Sequence, residues 1–545
     1  STPEWSQGAT WYYTHTAHFY NADTTNDIYR EFLMYDSPYG NDILAMHRGS
    51  GDLKGIAEKL DYIESLGAEV LSLGPYFSSA DMFGFGIDNY ASVETALGNE
   101  SNLIALINEV HSRNMKITTD MIVSYAVYNS KYFNMTKNFP TIGAYQSQNS
   151  KYSSLFNFPQ WPYNFVKIWG SAGFNVSNSD SQKLLYKNND SIIQRYMNEP
   201  YGLDGYRFDA EESVGNLGFD YDPETIWKDI YSSIKSANKD FLVLSENPTG
   251  IADQYNTLFD SSWQKNGYFA VKDWFEGSFT ASQMIDVLQK NLINTARPRA
   301  LSSYNFIGQH DVPRLFSDTA EQRDAISALL LLQFTFLGSP VIYFGDEIGL
   351  TNGLYEDQSA NPFNWDESTW DYNILNLVRS LGSLRKEYSC LKDGVIKIGD
   401  IEDSNLFLSF GRFDENGSVI TLCNQQSSPQ VETVNVSRYN VKDGTVLNDY
   451  LTGNKYKVKD GKISLSVIPG GTVLVTGKQV SDYRGEYTVN NKKTEIIKNN
   501  TADFTITSKA KNFNDTGYLL KKIYNNSQIS AKIDSQKKAA AVLFF

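Results

Sequence analysis

The sequence predicts an α/β protein in which eight strands alternate with helices and close into a (β/α)8 barrel, followed by antiparallel β structure. Short apolar runs without polar alternation recur along residues 1–388, which is typical of parallel strands buried on both faces. Amphipathic helical stretches separate these runs. After Tyr388 the pattern changes to short strands and turns, which indicates a separate antiparallel β domain.

Eight apolar runs are the predicted barrel strands. They are Trp11–Tyr20, Ala68–Tyr76, Lys116–Tyr125, Gly202–Ala210, Phe241–Glu246, Tyr268–Trp274, Leu301–Gly308 and Pro340–Phe344. Between the first two runs, residues 52–66 carry Leu and Ile at helical spacing, and Gly67 predicts the end of that helix. A second helix is predicted before the third run, where Leu103, Ile107 and Val110 lie on one face.

Three further segments complete the predicted organisation. Residues 126–187 lack the barrel rhythm and predict a subdomain inserted after the third strand. Residues 389–478 predict the antiparallel β domain, with strands at Leu406–Phe413, Ser418–Cys423 and Thr472–Thr476. Residues 479–545 are rich in Lys and Asn, alternate in places such as Asp503–Thr507, and predict a small β-rich module that either binds carbohydrate or caps the fold.

Charge and hydropathy limit the possible partners. The net charge of −15 argues against nucleic acid, because that affinity comes from clustered Lys and Arg. Residues 325–344 are apolar and long enough to span a membrane, but Gly338-Ser339-Pro340 interrupts them. A buried helix, a turn and a buried strand explain this segment better, so no membrane span is expected. The aromatic content of 14 % fits a carbohydrate binder and a large β-rich core equally well.

A few features bear on the location of the protein. Cys390 and Cys423 allow at most one internal disulfide. The chain starts at Ser1 without Met, as a mature form does after removal of a signal peptide, although a trimmed chain starts in the same way. Asn-x-Ser/Thr sequons occur from Asn99 to Asn525 at about the frequency of chance, and they support secretion only weakly. The expectation is a secreted, extracellular glycoprotein.

Charged residues follow three of the predicted strands. The fourth run contains Arg207 and ends at Asp209, the fifth ends at Glu246, and the seventh is followed by His310 and Asp311. Active sites of β/α barrels lie at the carboxyl ends of the strands, so we expect these side chains on one rim. Arg207 and Asp209 are two positions apart on a strand and therefore point to the same side.

This set of side chains matches what glycoside hydrolysis requires. One carboxylate attacks the anomeric carbon, and a second carboxyl group protonates the leaving oxygen and then activates water. A neighbouring Arg keeps the attacking carboxylate ionised. A single Asp at a strand end is more often a helix cap or a surface charge. Three carboxylates on the expected strands, with an Arg and a His beside them, favour a catalytic site.

These motifs resemble those of the α-amylase family of glycoside hydrolases over residues 9–477. The segments Gly51–Ile56 and Tyr343–Gly349 add to the similarity, and the tail beyond Gly477 is not covered. Within the family the chain is most similar to the neopullulanase, cyclomaltodextrinase and oligoglucosidase branches. The resemblance implies hydrolysis or transfer of α-glucosidic bonds with retention, through a covalent glycosyl-enzyme.

The resemblance also implies roles for individual residues. Asp209 would be the nucleophile and Glu246 the general acid/base. Asp311 would bind sugar hydroxyls and stabilise the transition state. Arg207 would orient Asp209, and His310 would hydrogen-bond the sugar beside Asp311.

The chain departs from the family pattern at several positions. The third-strand motif, normally Asp followed by an Asn-His pair, runs here from Asp120 to Ser124 and Tyr125, so Tyr125 replaces a sugar-binding His. Phe85 replaces the Tyr of a Gly-Tyr-Asp motif and keeps a ring for stacking without the hydroxyl. We expect Asp120, Tyr125 and Phe85 to contact substrate and to shift its specificity.

Other departures concern metal binding. The Arg expected before Pro362 is absent, and the family's metal loop is replaced by residues 46–50. The usual oxygen ligands for calcium are thereby lost. The five His residues show no spacing typical of a transition-metal site. No metal and no cofactor are expected.

Two functions remain after these observations. The first is a retaining α-glycoside hydrolase or transglycosylase whose partner is a starch-derived or related oligosaccharide or polysaccharide. The alternative is a weakened or inactive relative that serves as a sugar-binding or protein-interaction module, suggested by the altered third-strand motif and the C-terminal tail. The retained carboxylates and Arg207 favour the enzyme. Linkage preference, chain-length preference and oligomeric state stay open.

Overall fold

The computed structural model describes residues 1–27, 50–79, 83–214, 222–246, 258–314, 323–351 and 361–477, and two strands at 487–489 and 492–494. The chain divides into two compact units. Unit 1 comprises Ser1–Lys265, Gly308–Ser317 and Val341–Asp371. Unit 2 comprises Asn266–Ile307, Asp318–Pro340 and Tyr372–Phe545. The predictions for residues 46–49, and most of those for residues 479–545, lie outside the described residues.

The central element is an eight-stranded parallel sheet. Its strands are β1 (Trp11–Thr14), β2 (Val70–Leu73), β3 (Lys116–Ile122), β4 (Gly205–Asp209), β5 (Leu242–Ser245), β6 (Ser261–Ser262), β7 (Tyr304–Asn305) and β8 (Ser339–Tyr343). They pair in the order β6-β5-β4-β3-β2-β1-β8-β7, which follows the chain around a nearly closed barrel. The predicted (β/α)8 fold is confirmed.

In the register of the sheet, β3 and β5 both pair with β4 at Arg207. Asp120 of β3 and Leu244 of β5 both pair with Arg207 of β4. Gly205 allows β4 and β5 to approach closely, because a Cβ at this position would lie 2.7 Å from the Leu242 Cβ. The end of β4 is therefore held between the ends of its two neighbours.

The longer α-helices bury apolar faces, as in Glu100–Ser112 and Pro223–Ala237. The α-helices within the described residues are Leu53–Glu58, Leu60–Ser65, Glu100–Ser112, Ser179–Gln182, Ile192–Met197, Pro223–Ala237, Lys265–Phe275, Ala281–Ile293, Arg297–Leu301, Arg323–Thr335, Tyr372–Glu387 and Cys390–Asp393. The segment predicted as one helix over residues 52–66 forms two helices that meet at Lys59. Asp52 caps the first, because its side chain accepts a hydrogen bond from the Gly55 N–H.

The prediction for the sixth strand, Tyr268–Trp274, is wrong. These residues belong to the helix Lys265–Phe275, in which every third or fourth residue from Gly267 to Trp274 is buried. The strand itself is β6, which has two residues and pairs with Leu244 and Ser245 of β5. A strand this short has no apolar run of its own, so the apolar helix that follows it was mistaken for the strand.

Two other strand predictions were too long. The first ends at Thr14 rather than Tyr20, because Thr16–His18 form a turn of 3₁₀-helix. The seventh is reduced to Tyr304–Asn305, and its predicted first residue, Leu301, is the last residue of a helix. The segment of residues 325–344 forms a helix, a turn and β8, as predicted.

A small antiparallel sheet follows β3 in the segment of residues 126–187. Its central strand, Ser171–Gly173, pairs with Lys167–Ile168 on one side and with Tyr125–Ala126 on the other. Tyr125 follows β3 after two residues, so this sheet is connected directly to a barrel strand end. The segment packs around aromatic rings, as in the contact between Phe133 and Phe165 at 4.8 Å.

Antiparallel sheets lie C-terminal to the barrel, as predicted. The six-stranded sheet has the order Val395–Glu402, Phe407–Phe413, Ser418–Asn424, Thr472–Thr476, Val446–Asp449 and Lys455–Lys457, and a second sheet pairs Gln430–Asn435 with Lys462–Val467. Their core is apolar and includes Phe407, Leu422 and Leu474. Cys390 and Cys423 are both buried and free rather than joined in a disulfide.

The described part of the chain contains no helix whose length and apolar character would allow it to cross a membrane. Beyond residue 477 the structure describes a hairpin of Tyr487–Val489 and Lys492–Thr494. The alternating segment predicted at Asp503–Thr507 lies outside the described residues.

Candidate active site

Arg207 joins the ends of β3, β4 and β5. Its side chain is 2 % exposed, and its Nη1 donates hydrogen bonds to Asp120 Oδ2 at 2.9 Å and Asp209 Oδ1 at 3.0 Å. Its Nη2 lies 3.1 Å from Glu246 Oε1. One rigid guanidinium therefore holds three carboxylates at the predicted rim. The structure brings Arg207, Asp209 and Glu246 together as the sequence predicts.

Trp263 covers one face of this guanidinium. The Arg207 Cζ lies 3.9 Å from the centre of the Trp263 ring, and the ring is 1 % exposed. A buried cation–π contact of this kind contributes about 2 kcal/mol. Sequence reasoning missed Trp263 because the sixth strand was placed after it. The available signal was the short run Leu258–Ser262, which ends at this Trp.

Asp120 contacts Arg207 from β3. Its side chain is 0 % exposed and also accepts a hydrogen bond from Tyr13 Oη at 2.9 Å. Burial raises the pKa of Asp120 to about 6, although Arg207 and Tyr13 act in the opposite direction. The carboxylate is fully buried, and a role of Asp120 in binding substrate stays a prediction.

Asp209 and Glu246 have pKa values shifted in opposite directions. Burial raises the pKa of Asp209 well above its usual value, and the negative charge of Glu246 adds to this rise. Burial also acts to raise the pKa of Glu246, but the charges of Arg207 and Lys265 outweigh it and lower this pKa to about 2. Of the two carboxyl groups, Asp209 therefore has the higher pKa.

Lys265 provides Glu246 with a second positively charged contact, in addition to Arg207. Its Nζ lies 2.8 Å from Glu246 Oε1, and the Ala210 N–H donates to Glu246 Oε2, also at 2.8 Å. The Lys265 side chain is 24 % exposed, at the start of the helix that follows β6. Sequence reasoning missed Lys265 for the same reason as Trp263.

Two more carboxylates follow the proposed nucleophile. Ala210 adopts a left-handed conformation with φ of 49°, and Glu211–Ser213 form a 3₁₀ turn. Glu211 Oε2 accepts a hydrogen bond from the Glu246 N–H at 3.2 Å. Oxygens of Glu211, Glu212 and Glu246 lie within 4.8 Å of one another, but those of Glu246 already contact Arg207, Lys265 and the Ala210 N–H. These carboxylates therefore belong to the surroundings of Glu246.

The opposite side of the site consists of rings. Phe85 stacks on His310 with ring centres 5.0 Å apart and planes at 24°. Tyr13 Oη lies 3.2 Å from His310 Nδ1. Burial lowers the pKa of His310 to about 4, so this ring is neutral at pH 7. Asp311 is 47 % exposed, and its Oδ1 lies 3.3 Å from His310 Nε2. The structure thus groups Phe85, His310 and Asp311 as predicted.

Tyr125 occupies a different structural position from these rings. It is 9 % exposed and forms the first residue of the small sheet after β3, where it pairs with Gly173. Its carbonyl lies within hydrogen-bond distance of Tyr90 Oη at 3.3 Å. Ser124, which precedes it, is also buried. A sugar-binding role for Tyr125 stays a prediction.

Comparison with known proteins places the chain in a family. Residues 13–383 match the family model described as alpha amylase, catalytic domain. The chain is 23 % identical to an amylopullulanase of Thermoanaerobacterium thermosulfurigenes over 87 % of its own length, but spans 29 % of that protein. It is 24 % identical to a cyclomaltodextrinase of Thermoanaerobacter pseudethanolicus, over 79 % of this chain and 73 % of the relative. A neopullulanase 2 of Thermoactinomyces vulgaris is 23 % identical, over 88 % and 79 %.

Solved structures agree with this placement at the level of the fold. A cyclomaltodextrinase superposes with a TM-score of 0.73 at 20 % identity, over 87 % of this chain and 79 % of that one. The cyclic α-maltosyl-(1→6)-maltose hydrolase of Arthrobacter globiformis gives a TM-score of 0.70 at 19 % identity, over 88 % and 100 %. The family model covers well over half of the sequence. The chain therefore belongs to the α-amylase family of glycoside hydrolases.

Proposed function

We propose that this protein is a retaining α-glycosidase that hydrolyses or transfers α-glucosidic bonds in starch-derived or related oligosaccharides. The observation that carries the proposal is that Asp209 and Glu246 both bind the guanidinium of Arg207. Retaining enzymes need their two carboxyl groups about 5–5.5 Å apart, closer than inverting enzymes do. Two carboxylates that share one guanidinium support the shorter separation.

The proposed reaction assigns one step to each carboxylate. Asp209 attacks the anomeric carbon and forms the glycosyl-enzyme, while Glu246 protonates the glycosidic oxygen. Glu246 then removes a proton from water, or from an acceptor sugar, which attacks the intermediate and releases Asp209. Arg207 contacts both groups and compensates the charge that moves between them. His310 and Asp311 would bind hydroxyls of the reacting sugar, and Phe85 would stack on its apolar face.

Turnover requires a redistribution of protons from the resting site. Glu246 must carry a proton before it acts as an acid, whereas Lys265 and Arg207 keep it ionised without substrate. A sugar that separates Lys265 from Glu246 removes a positive charge and raises the pKa of this carboxyl. Glu246 can then take up a proton and act as the acid, while the charge of Arg207 favours the ionised form of Asp209.

The relatives support the substrate class. Their names identify a cyclomaltodextrinase, a neopullulanase and an amylopullulanase. The chain spans only 29 % of the length of the amylopullulanase. Activity on pullulan or on long starch chains is therefore part of the proposal and is not a property taken from that relative.

A second function is favoured by a specific observation. The carboxyl group that must donate a proton is held ionised by two cations and a backbone N–H, and Tyr125 replaces a sugar-binding His. A family member that binds glucans with little or no turnover would tolerate both features. We rank this function below the first because Arg207, Asp209 and Glu246 retain the geometry that catalysis needs.

Release of reducing sugar tests the two functions. The substrates are α-1,4-, α-1,6- and α-1,1-linked glucosides and sucrose, and wild type is assayed beside Asp209→Asn. We expect turnover of at least one α-glucoside, lost in the variant with no change in melting temperature. Near-normal hydrolysis by Asp209→Asn would refute the assignment of the nucleophile. Glucan binding without turnover in the wild type would support the second function.

Secretion and glycosylation stay predictions. One relative with 25 % identity is named intracellular maltogenic amylase of Bacillus subtilis (strain 168), and that name points away from secretion. The mass of the protein from its native source, before and after enzymatic removal of N-glycans, tests both predictions. A loss of mass would support them, and an unchanged mass would contradict glycosylation.

A further inference from the structure

Trp169 adopts a left-handed backbone conformation, which is unfavourable for a residue with a large side chain. It lies with Gly170 in the two-residue turn between Lys167–Ile168 and Ser171–Gly173, with φ of 49° and 72° for the two turn residues. Turns of this kind prefer Asn-Gly or Gly-Gly, because a side chain with a bulky Cβ is strained in the left-handed region. The Trp169 side chain is also 73 % exposed, so burial offsets little of this strain.

The position of Trp169 is nevertheless fixed at the rim of the barrel. Its indole Nε1 donates a hydrogen bond of 3.1 Å to Ser213 Oγ, and Ser213 is 5 % exposed and lies four residues after Asp209. At the other side, the turn belongs to the sheet that pairs with Tyr125–Ala126 after β3. An exposed indole held in this way presents a flat, pre-oriented apolar face at the 3₁₀ turn that follows Asp209.

The contacts of the 3₁₀ turn indicate which side of the cleaved bond Trp169 serves. Glu211 begins this turn and accepts a hydrogen bond from the Glu246 N–H, and the Ala210 N–H donates to the Glu246 side chain. Ser213 ends the same turn and holds Trp169. Glu246 is the group proposed to protonate the leaving oxygen, so the indole lies on the side of the leaving group.

We propose that Trp169 is a sugar-binding platform for the leaving group, on which the apolar C–H face of an α-linked glucose residue stacks. This inference rests on the proposed function, because it takes Glu246 as the acid. The same platform would bind the acceptor sugar in transfer. The backbone strain is retained because an Asn or Gly in the turn would relieve it but would provide no ring.

Kinetics with two substrates test the platform. Maltopentaose leaves as a sugar, whereas the leaving group of α-maltosyl fluoride is a fluoride ion that has no ring to stack. For Trp169→Ala we expect the ratio of kcat/KM values, maltopentaose over maltosyl fluoride, to fall about tenfold, the size of effect that loss of one ring contact produces. Trp169→Phe keeps a ring and should retain most of the ratio. Tyr163→Ala is the matched control, because Tyr163 is 82 % exposed in the same inserted segment.

Stability separates a binding role from a structural one. Trp169→Asn creates the preferred Asn-Gly turn, so its melting temperature should equal or exceed that of the wild type while the ratio falls as in Trp169→Ala. A lower melting temperature with an unchanged ratio would overturn the proposal, as would equal losses on both substrates. If the wild type cleaves neither these substrates nor any other α-glucoside, the proposed function fails. The platform is then tested by calorimetric binding of maltohexaose, and equal affinity of wild type and Trp169→Ala would refute it.

Discussion

The two sides of the proposed active site differ in how closely they follow the family pattern. The charged side keeps Asp120, Arg207, Asp209 and Glu246, and one guanidinium contacts all three carboxylates. On the ring side, Phe85 stands where the family has a Tyr and stacks directly on His310. The groups proposed to break the bond are thus retained, whereas a ring proposed to contact the sugar has changed.

The two sides also differ in their energetics. The charged side is a buried network in which each group determines the pKa of its neighbours, so the loss of one member affects the others. The ring side is held by ring contacts that are individually of modest energy, and His310 makes them with Tyr13, His15, Phe83, Phe85 and Trp263. Changes on the charged side should therefore affect both stability and rate, and changes on the ring side should affect substrate preference.

The largest effect is expected for Arg207→Met. This change leaves Asp120 and Asp209 without a cation and leaves Glu246 with Lys265 alone. Breaking a buried ion pair costs about 3–5 kcal/mol of unfolding free energy. The pKa values of these carboxyls rise, so the folded variant binds more protons than the unfolded chain, and its stability falls as pH rises. Urea unfolding at pH 5 and pH 8, together with the assay for reducing sugar, should show lower stability, a larger deficit at pH 8, and no activity.

Arg113→Met is the matched control for this network. Arg113 also contacts three carboxylates, those of Asp61, Glu64 and Glu109, but on the surface. Exposed ion pairs of this kind contribute less than about 1 kcal/mol each. Equal destabilisation by the two variants would show that burial of the Arg207 network has no special importance.

Much of the charged side was predictable from the sequence, and there is a physical reason why some of its residues were missed. Asp209 ends β4 and Glu246 follows β5, and both strands have clear apolar runs, so the positions of these carboxylates at the strand ends were predicted correctly. Trp263 and Lys265 were missed because β6 has two residues and the helix behind it is apolar at helical spacing. The sequence did not reveal that Asp120 is fully buried, because a motif reveals which residue types are present but not how deeply each is buried.

Lys265→Met sharpens the comparison within the charged side. Lys265 lowers the pKa of Glu246, so its removal should raise that pKa and keep the acid protonated to higher pH. The alkaline limb of kcat/KM against pH should move upward by about one unit. Lys272→Met is the control, because Lys272 lies on the same helix and contacts Glu276 instead. An unmoved alkaline limb would show that Lys265 does not control the acid.

A smaller effect is expected for Tyr125→His, which restores the residue typical of the family. Substrate preference should change by about tenfold, because a buried polar group discriminates strongly between sugars that pair with it and those that do not. The free energy of unfolding should change little, since the backbone pairing of Tyr125 with Gly173 does not depend on the side chain. A large drop in melting temperature with unchanged preference would show instead that Tyr125 serves packing.

The smallest effect is expected for Phe85→Tyr, which adds one hydroxyl to the ring side. The ring keeps its stacking on His310, and this His stays neutral because burial, not Phe85, is the main cause of its low pKa. The hydroxyl gains one hydrogen bond if the sugar presents a partner, which corresponds to about a two- to tenfold rise in kcat/KM. Phe83→Tyr is the control, because Phe83 stacks on His18 and meets His310 only in a tilted contact with ring centres 6.1 Å apart. Equal responses of the two variants would mean that Phe85 has no particular contact with the substrate, and the ring side would then owe its specificity to His310 and Asp311.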